Sequence, residues 1–196
     1  MRPSLHFLLW SVGLARAETQ TTAAERAAVV RWARGQRWVV EIGAWHGVTT
    51  AELRHAVGPG GELWAVDPYP AGRLGVSLQR LIAEQEVARA PGASVQWVRE
   101  TGVAAAAAAA ANGRLADLVF IDGDHSWEGI SGDWAAWGPL VRPGGHVALH
   151  DSRSTRTRDL SEAGSARFTR EVILQAPGWS VVEEVDSLTV VRKAQR

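Results

Sequence analysis

A chain of 196 residues with 21 lysines and arginines against 21 aspartates and glutamates has the composition of one ordinary globular domain and no net charge. That balance offers no field to attract nucleic acid or an anionic membrane, so neither is expected as a partner. The absence of cysteine excludes disulfides, thiolate metal sites and a cysteine nucleophile.

Residues 1–17 imitate a secretory leader, with Arg2, an apolar run from Leu5 to Leu14 and the small-residue segment Ala15-Arg16-Ala17. The run is too short to cross a membrane. His6 and Ser11 interrupt it, and Arg16 falls inside the cleavage segment. An N-terminal helix is the favoured expectation, with Leu5, Leu8, Leu9 and Val12 as a stripe lying against the domain of residues 18–196.

Strand and helix signals then alternate. Thr22 and Glu25 form a capping box for a helix through Ala28, Val29 and Trp32 that stops at Gly35. Trp38 to Ile42 reads as a strand, and Val48 to Val57 as a helix ended by Gly58-Pro59-Gly60-Gly61. Leu63 to Val66 is a second strand, Val76 to Arg89 a helix, and Val95 to Val98 a third strand. The alanine run from Ala104 to Ala111 reads as a packed helix ended by Asn112-Gly113. Leu118 to Ile121 is a fourth strand, Gly129 to Leu140 a helix closed by Arg142-Pro143-Gly144-Gly145, and His146 to Leu149 a fifth strand. Arg167 to Gln175 is helical. Trp179 to Val185 and Leu188 to Val191, parted by Asp186-Ser187, suit an antiparallel hairpin. The pattern predicts an α/β fold: a doubly wound, mostly parallel seven-stranded Rossmann-like sheet with a C-terminal antiparallel hairpin.

In such sheets ligands bind beyond the carboxyl ends of the strands, so the loops after the strands are the places to inspect. After the first strand stands Glu41-Ile42-Gly43-Ala44-Trp45-His46-Gly47. Gly43 and Gly47 let backbone approach a ligand, and Glu41 adds an accepting carboxylate. The E-x-G-x-x-x-G spacing is neither the dinucleotide loop nor the nucleoside triphosphate loop, and its acidity suits a cationic ligand. After the second strand, Asp67 is placed to accept the hydroxyls of a ribose, or else to start the turn at Pro68.

The fourth strand ends in Asp122-Gly123-Asp124-His125 and the fifth in His150-Asp151. Neighbouring strands lie about 4.8 Å apart, so adjacency would bring Asp122, His150 and Asp151 to one rim, a geometry able to chelate an ion. The two carboxylates suit magnesium, whereas His150 tilts the set towards a transition metal. His125 is a candidate general base. For each residue alone, a cap or turn is the plainer alternative. Trp45, Tyr69 and Trp127 could form an apolar acceptor wall. Trp134 and Trp137 suit a core stripe. Arg73 and Arg153 could meet an acidic substituent, against solvation as the plainer role.

The segments FIDGDHSWEG and WGPLVRPGGHVALHDS, with the weaker EIGAWHG and AVDPY in order before them, resemble the class I S-adenosylmethionine-dependent methyltransferases, and within them the macrocin O-methyltransferase-like branch. Related folds include a cephalosporin hydroxylase-like branch. The resemblance spans Glu18 to Lys193. It implies that Glu41, Gly43 and Gly47 border the methionine part of the cofactor, that Asp67 holds the ribose, and that Thr101 and Gly102 approach adenine, although ETG stands here where GDS is common. It places Asp122, His150 and Asp151 at the metal positions, with Asp122 also beside the cofactor, and makes His125 the base. The implied activity is methyl transfer from S-adenosylmethionine to a hydroxyl of a small molecule, a sugar or other hydroxylated metabolite, with a divalent metal, magnesium first. Use of that cofactor implies the cytoplasm, and the chain is compatible with a homo-oligomer. The alternatives are a nicotinamide-dependent oxidoreductase, which the glycine spacing disfavours, and a cofactor-binding protein without catalysis.

Overall fold

Thr22 caps helix α2 (Ala23–Ala33) as the capping box requires: its hydroxyl accepts the N–H of Glu25 at 3.2 Å, and the Glu25 carboxylate accepts the N–H of Thr22 at 2.7 Å. The structure, a computed structural model, describes residues 3–72 and 75–195. Arg2 of the leader-like segment and the acidic-substituent candidate Arg73 lie outside the described residues. Helix α1 (Pro3–Ser11) precedes α2, and the chain continues through β1 (Trp38–Ile42), α3 (Val48–Val57), β2 (Glu62–Val66), α4 (Leu78–Ala88), β3 (Ser94–Val98), α5 (Gly102–Ala111), β4 (Ala116–Ile121) and α6 (Trp127–Trp137). It closes with β5 (Val141–Leu149), α7 (Gly164–Glu171), β6 (Trp179–Val185) and β7 (Leu188–Lys193).

The seven strands form one sheet in the order β3-β2-β1-β4-β5-β7-β6. The first five run parallel, and β7 enters antiparallel between β5 and β6. The Arg142-Pro143-Gly144-Gly145 segment, expected to close a helix, instead begins β5, with a register shift against β4 between Ala116 and Leu118. A strand start at an irregularity is where a ladder tolerates proline.

Alternation along the central strands divides the core. Val40, Ile42, Val119, Ile121, Val147 and Leu149 face α5, α6 and α7 through Ala105, Ala109, Ile130, Trp137 and Phe168. Val39, Leu118, Phe120 and Ala148 face α2 and α3 through Ala28, Val29, Leu53 and Val57. The alanine run thus packs as a helix whose small side chains bring it close to the sheet. Trp137 is fully buried, while Trp134 is half-buried against Trp179, ring centroids 4.7 Å apart.

Helix α1 does lie against the domain, but on a different face from the one expected. Its buried residues are His6 and Trp10, one turn apart, with Trp10 Nε1 donating to Glu86 on α4 at 2.8 Å. Leu5, Leu8 and Val12 are exposed. Polar side chains with partners on the domain surface win the inner face because this helix is apolar all round and carries no directional stripe. No described helix is long and apolar enough to cross a membrane.

Candidate active site

The parallel strands end at one rim, and the ladder extends one bond into each loop. Gly43 donates its N–H to Val66, Asp67 to Val98, Asp122 to Ile42 and His150 to Ile121, all within 3.0 Å. The first loop residues are therefore fixed by the same hydrogen bonds that hold the sheet. Three of the described non-glycine residues with positive φ stand at this rim, Trp45 (44°), Tyr69 (43°) and Asp151 (49°), a concentration of backbone strain typical of sites.

A cleft of about 610 Å³ opens there. Its wall includes Gly43, Trp45, Asp67, Thr101, Gly102, Asp122 and His125, together with Glu18 and Asp133. Gly43 has φ +94°, and a Cβ on it would stand 2.1 Å from the carbonyl oxygen of Asp122, so glycine alone lets β1 and β4 deliver their loops this close. Gly47 caps α3 at φ +75° and packs against Ala83. Asp67 is oriented by two backbone amides, Trp45 N–H to Oδ2 at 3.0 Å and Tyr69 N–H to Oδ1 at 2.9 Å. Thr101 is the N-cap of α5, its hydroxyl accepting the N–H of Ala104 at 3.2 Å.

Glu41 does not reach the wall. It points to the opposite face of β1 from Ile42, 1% exposed, with the Thr50 hydroxyl donating to it. Burial above all, with the charges of Asp122, Asp67 and Glu52, pushes its carboxyl up to about 8 despite that hydrogen bond. Of the three aromatic candidates, Trp45 lines the cleft, Tyr69 is buried among Ala44, Ala65 and Ala83, and Trp127 packs edge-on against Phe168 at 5.1 Å. Arg153 lies 3.6 Å from Glu184 at the surface.

Strands β4 and β5 are neighbours, and Asp122 and His150 meet. His150 Nδ1 is 2.6 Å from Asp122 Oδ1, and its Nε2 is 3.5 Å from Glu25 Oε2 and 3.7 Å from Asp151 Oδ1. His125 Nε2 is 3.7 Å from Asp122 Oδ1, and its side chain remains one-third exposed on the cleft. Burial opposes the charged form of His150, but hydrogen bonding to Asp122 and Glu25 and the charges of Asp122 and Asp151 outweigh it and hold the imidazole at about 10. Glu25 is held at about 2: burial would raise it, but His150, Ser187 and Thr22 all favour its charged form. Ser187 donates both its N–H and its hydroxyl to Glu25 Oε1, at 2.8 and 2.6 Å.

Donor chemistry tests the expected metal. Asp122, His125 and His150 can bring ligand atoms within 4.8 Å of one another, one oxygen and two nitrogens. Asp151 is turned elsewhere: both its oxygens accept from the Arg158 guanidinium, at 2.8 and 2.7 Å. Magnesium takes oxygens, and only one of these three ligand atoms is an oxygen. The residues as arranged do not fit a magnesium ion.

Sequence reasoning missed the parts of this site that arrive from outside the strand ends. Glu25 was visible as a capping residue but not as the second carboxylate on His150. Arg158 lies in a stretch without periodicity. Asp133 is hidden in the α6 pattern at a position that helical spacing places towards the sheet.

Residues 40–152 match the model of a family described as a methyltransferase domain. No curated protein sequence matches the chain. Among solved structures, it resembles cofactor-bound Rv0187 from MTB at 20% identity and a TM-score of 0.73, covering 100% of this chain and 91% of that one. An O-methyltransferase from Bacillus cereus in complex with SAH gives 19% identity and a TM-score of 0.63, with 98% and 91% covered. The O-methyltransferase TomG from Streptomyces achromogenes, involved in tomaymycin synthesis and solved with SAM, gives 16% identity and 0.66, with 97% and 88% covered. At these identities the likeness establishes the shared fold.

Proposed function

The chain belongs to the methyltransferase-domain family, and from that premise we propose that it transfers a methyl group from S-adenosylmethionine to a hydroxyl of a small molecule, a sugar or other hydroxylated metabolite. The observation that carries the reading is the convergence on one cleft of the Gly43 loop, the amide-oriented Asp67 carboxylate and His125. Similar folds solved with SAM and with SAH support the choice of cofactor.

The residues present fit that cofactor. Gly43 lets the β1 and β4 loops close against each other along the cleft wall, Asp67 presents accepting oxygens to a ribose, and the carboxylates of the wall favour a cation. When bound, S-adenosylmethionine supplies an electrophilic methyl group and leaves as the neutral thioether. His125 takes the acceptor's hydroxyl proton, since an alcohol is a weak nucleophile at neutral pH. Asp122 Oδ1 lies 3.7 Å from His125 Nε2 and borders the same part of the cleft. The loops fixed by the extended ladder hold the acceptor in line behind the methyl group, and positioning of this kind supplies much of the rate. No step is routed through a metal.

The test is release of S-adenosylhomocysteine from S-adenosylmethionine with a panel of hydroxylated acceptors, with and without a chelator. Acceptor-dependent release that persists in chelator supports the reading. Release abolished by chelator and restored by a divalent ion would return a metal to the mechanism, and no release with any acceptor would contradict methyl transfer to small-molecule hydroxyls.

A further inference from the structure

Two buried imidazoles meet where α1 docks on the loop after β1, apart from Asp122, His125 and His150. His6 is 4% exposed and His46 5%. Their rings lie nearly parallel, 8° apart with centroids at 5.0 Å, and Trp45 stacks on His46 at 4.6 Å. Glu18 completes the group. Its Oε1 stands 3.3 Å from His6 Nδ1, and its backbone N–H donates to His46 Nδ1 at 3.1 Å. One ligand atom from each of His6, Glu18 and His46 falls within 4.8 Å of the others.

His6 is the residue that packing leaves unexplained. Both its ring nitrogens are buried, and neither has a hydrogen-bond partner among the described residues, since the Glu18 contact lacks hydrogen-bond alignment. Burying such a group unsatisfied is costly, yet α1 turns it inward while Leu5 and Leu8 stay exposed. His46 is equipped as a ligand. Its Nδ1 accepts a hydrogen bond and so carries a lone pair. Burial above all, with the neighbouring His6, holds its imidazole below the ordinary histidine value against the opposing charge of Glu18, which keeps it neutral at neutral pH.

Two imidazoles and a carboxylate are the donors of zinc and its neighbours among the transition ions, whereas magnesium takes oxygens. We propose that His6, Glu18 and His46 form a transition-metal site of the zinc class that fastens α1 to the loop after β1. Parallel rings cannot both aim a lone pair at one ion, so ligation turns His6, a movement that breaks no hydrogen bond. The ion takes the place of the Glu18 amide at His46 Nδ1. Three protein ligands leave a fourth position for water.

A stack of three aromatic rings that holds no ion is the competing account. Titration calorimetry of metal-stripped, full-length protein with zinc chloride, and titration with cobalt(II) followed by its visible absorption, separate the two. Saturable binding with a rise in melting temperature is expected, because an ion held only by the folded chain stabilises it. Loss of a ligand in His6→Ala or Glu18→Gln should weaken that binding at least about tenfold. Asp122→Asn, which removes the oxygen of the other cluster, should leave it unchanged. No saturable binding by the native protein, binding that Glu18→Gln leaves unchanged, or binding that Asp122→Asn abolishes would overturn the proposal. Glu18 has 48% of its side chain exposed, so Glu18→Gln keeps the test decisive even if His6→Ala does not fold.

Discussion

His150 Nδ1 lies 2.6 Å from Asp122 Oδ1, across the gap between the first residues beyond two adjacent parallel strands. This pair ties the cleft to the core, because the far side of the same imidazole faces Glu25 on the first helix of the α/β core. Removing a buried partner strands the charges that faced it, at a cost of about 3–5 kcal/mol. His150→Gln should therefore lower stability by that order in urea unfolding at pH 6.

The pair also has a pH signature. A histidine held at about 10 contributes its full stabilisation below its ordinary 6.5 and loses it as the pH climbs towards 10. Glu25, held at about 2, contributes above its ordinary 4.5 and loses that as the pH falls towards 2. The native contribution of the two is greatest between about pH 4.5 and 6.5, and His150→Gln should show a shallower decline above that window. Melting temperatures measured from pH 4 to 10 for both proteins check this. Parallel curves would contradict it.

Glu41 behaves in the opposite sense to an ion-paired carboxylate. With its carboxyl pushed up to about 8, the folded chain holds a proton that the unfolded chain releases near 4.5, so Glu41 costs stability progressively as the pH rises from 4.5 to 8. Glu41→Gln keeps the shape and the partner Thr50 without that liability. It should raise stability at pH 8 by about 1–3 kcal/mol and change it little at pH 4.5, as read by denaturant unfolding at the two pH values.

Gly43→Ala should be among the most damaging single-methyl changes available to this chain. The new Cβ would meet the Asp122 carbonyl at 2.1 Å in a backbone conformation of φ +94°. Something at the β1–β4 rim must move, and a loss of about 3 kcal/mol is expected. Gly113→Ala is the control: its φ is +62° but nothing lies within 4 Å of the added methyl, so the expected cost is the conformational one alone, about 1–2 kcal/mol.

Much of this was legible in the sequence. The stop of α2 just before Gly35, the span of β1 and the hairpin each followed from local chemistry, and the order of β4 and β5 was enough to bring Asp122 to His150. The failures have physical causes. The resemblance sets Glu41 beside the methionine part of the cofactor, whereas strand alternation turns its side chain to the face opposite Ile42, which does line the cleft. Asp151 was grouped with Asp122 by proximity to a strand end, but its φ of 49° turns it to Arg158, a partner no periodicity announces. The leucines of α1 looked like a buried stripe, whereas His6 and Trp10 take the inner face, because a short helix apolar on all sides carries no signal of which side is covered.

His125 is separable from the binding machinery. His125→Ala should lower turnover by about 10²-fold or more, the usual weight of general base catalysis, while changing S-adenosylmethionine affinity by less than about threefold. Single-turnover methyl transfer and equilibrium binding measured on the same preparation distinguish this from a structural role, which would depress both together.

The most direct test of the central claim is calorimetric titration of the native protein with S-adenosylmethionine, with oxidised nicotinamide dinucleotide as the competing ligand. Saturable binding of the sulfonium, weakened at least about tenfold in Asp67→Ala, with none of the dinucleotide, is the result predicted from the Gly43 loop and the Asp67 carboxylate. Binding of the dinucleotide and none of the sulfonium would contradict the account at its root.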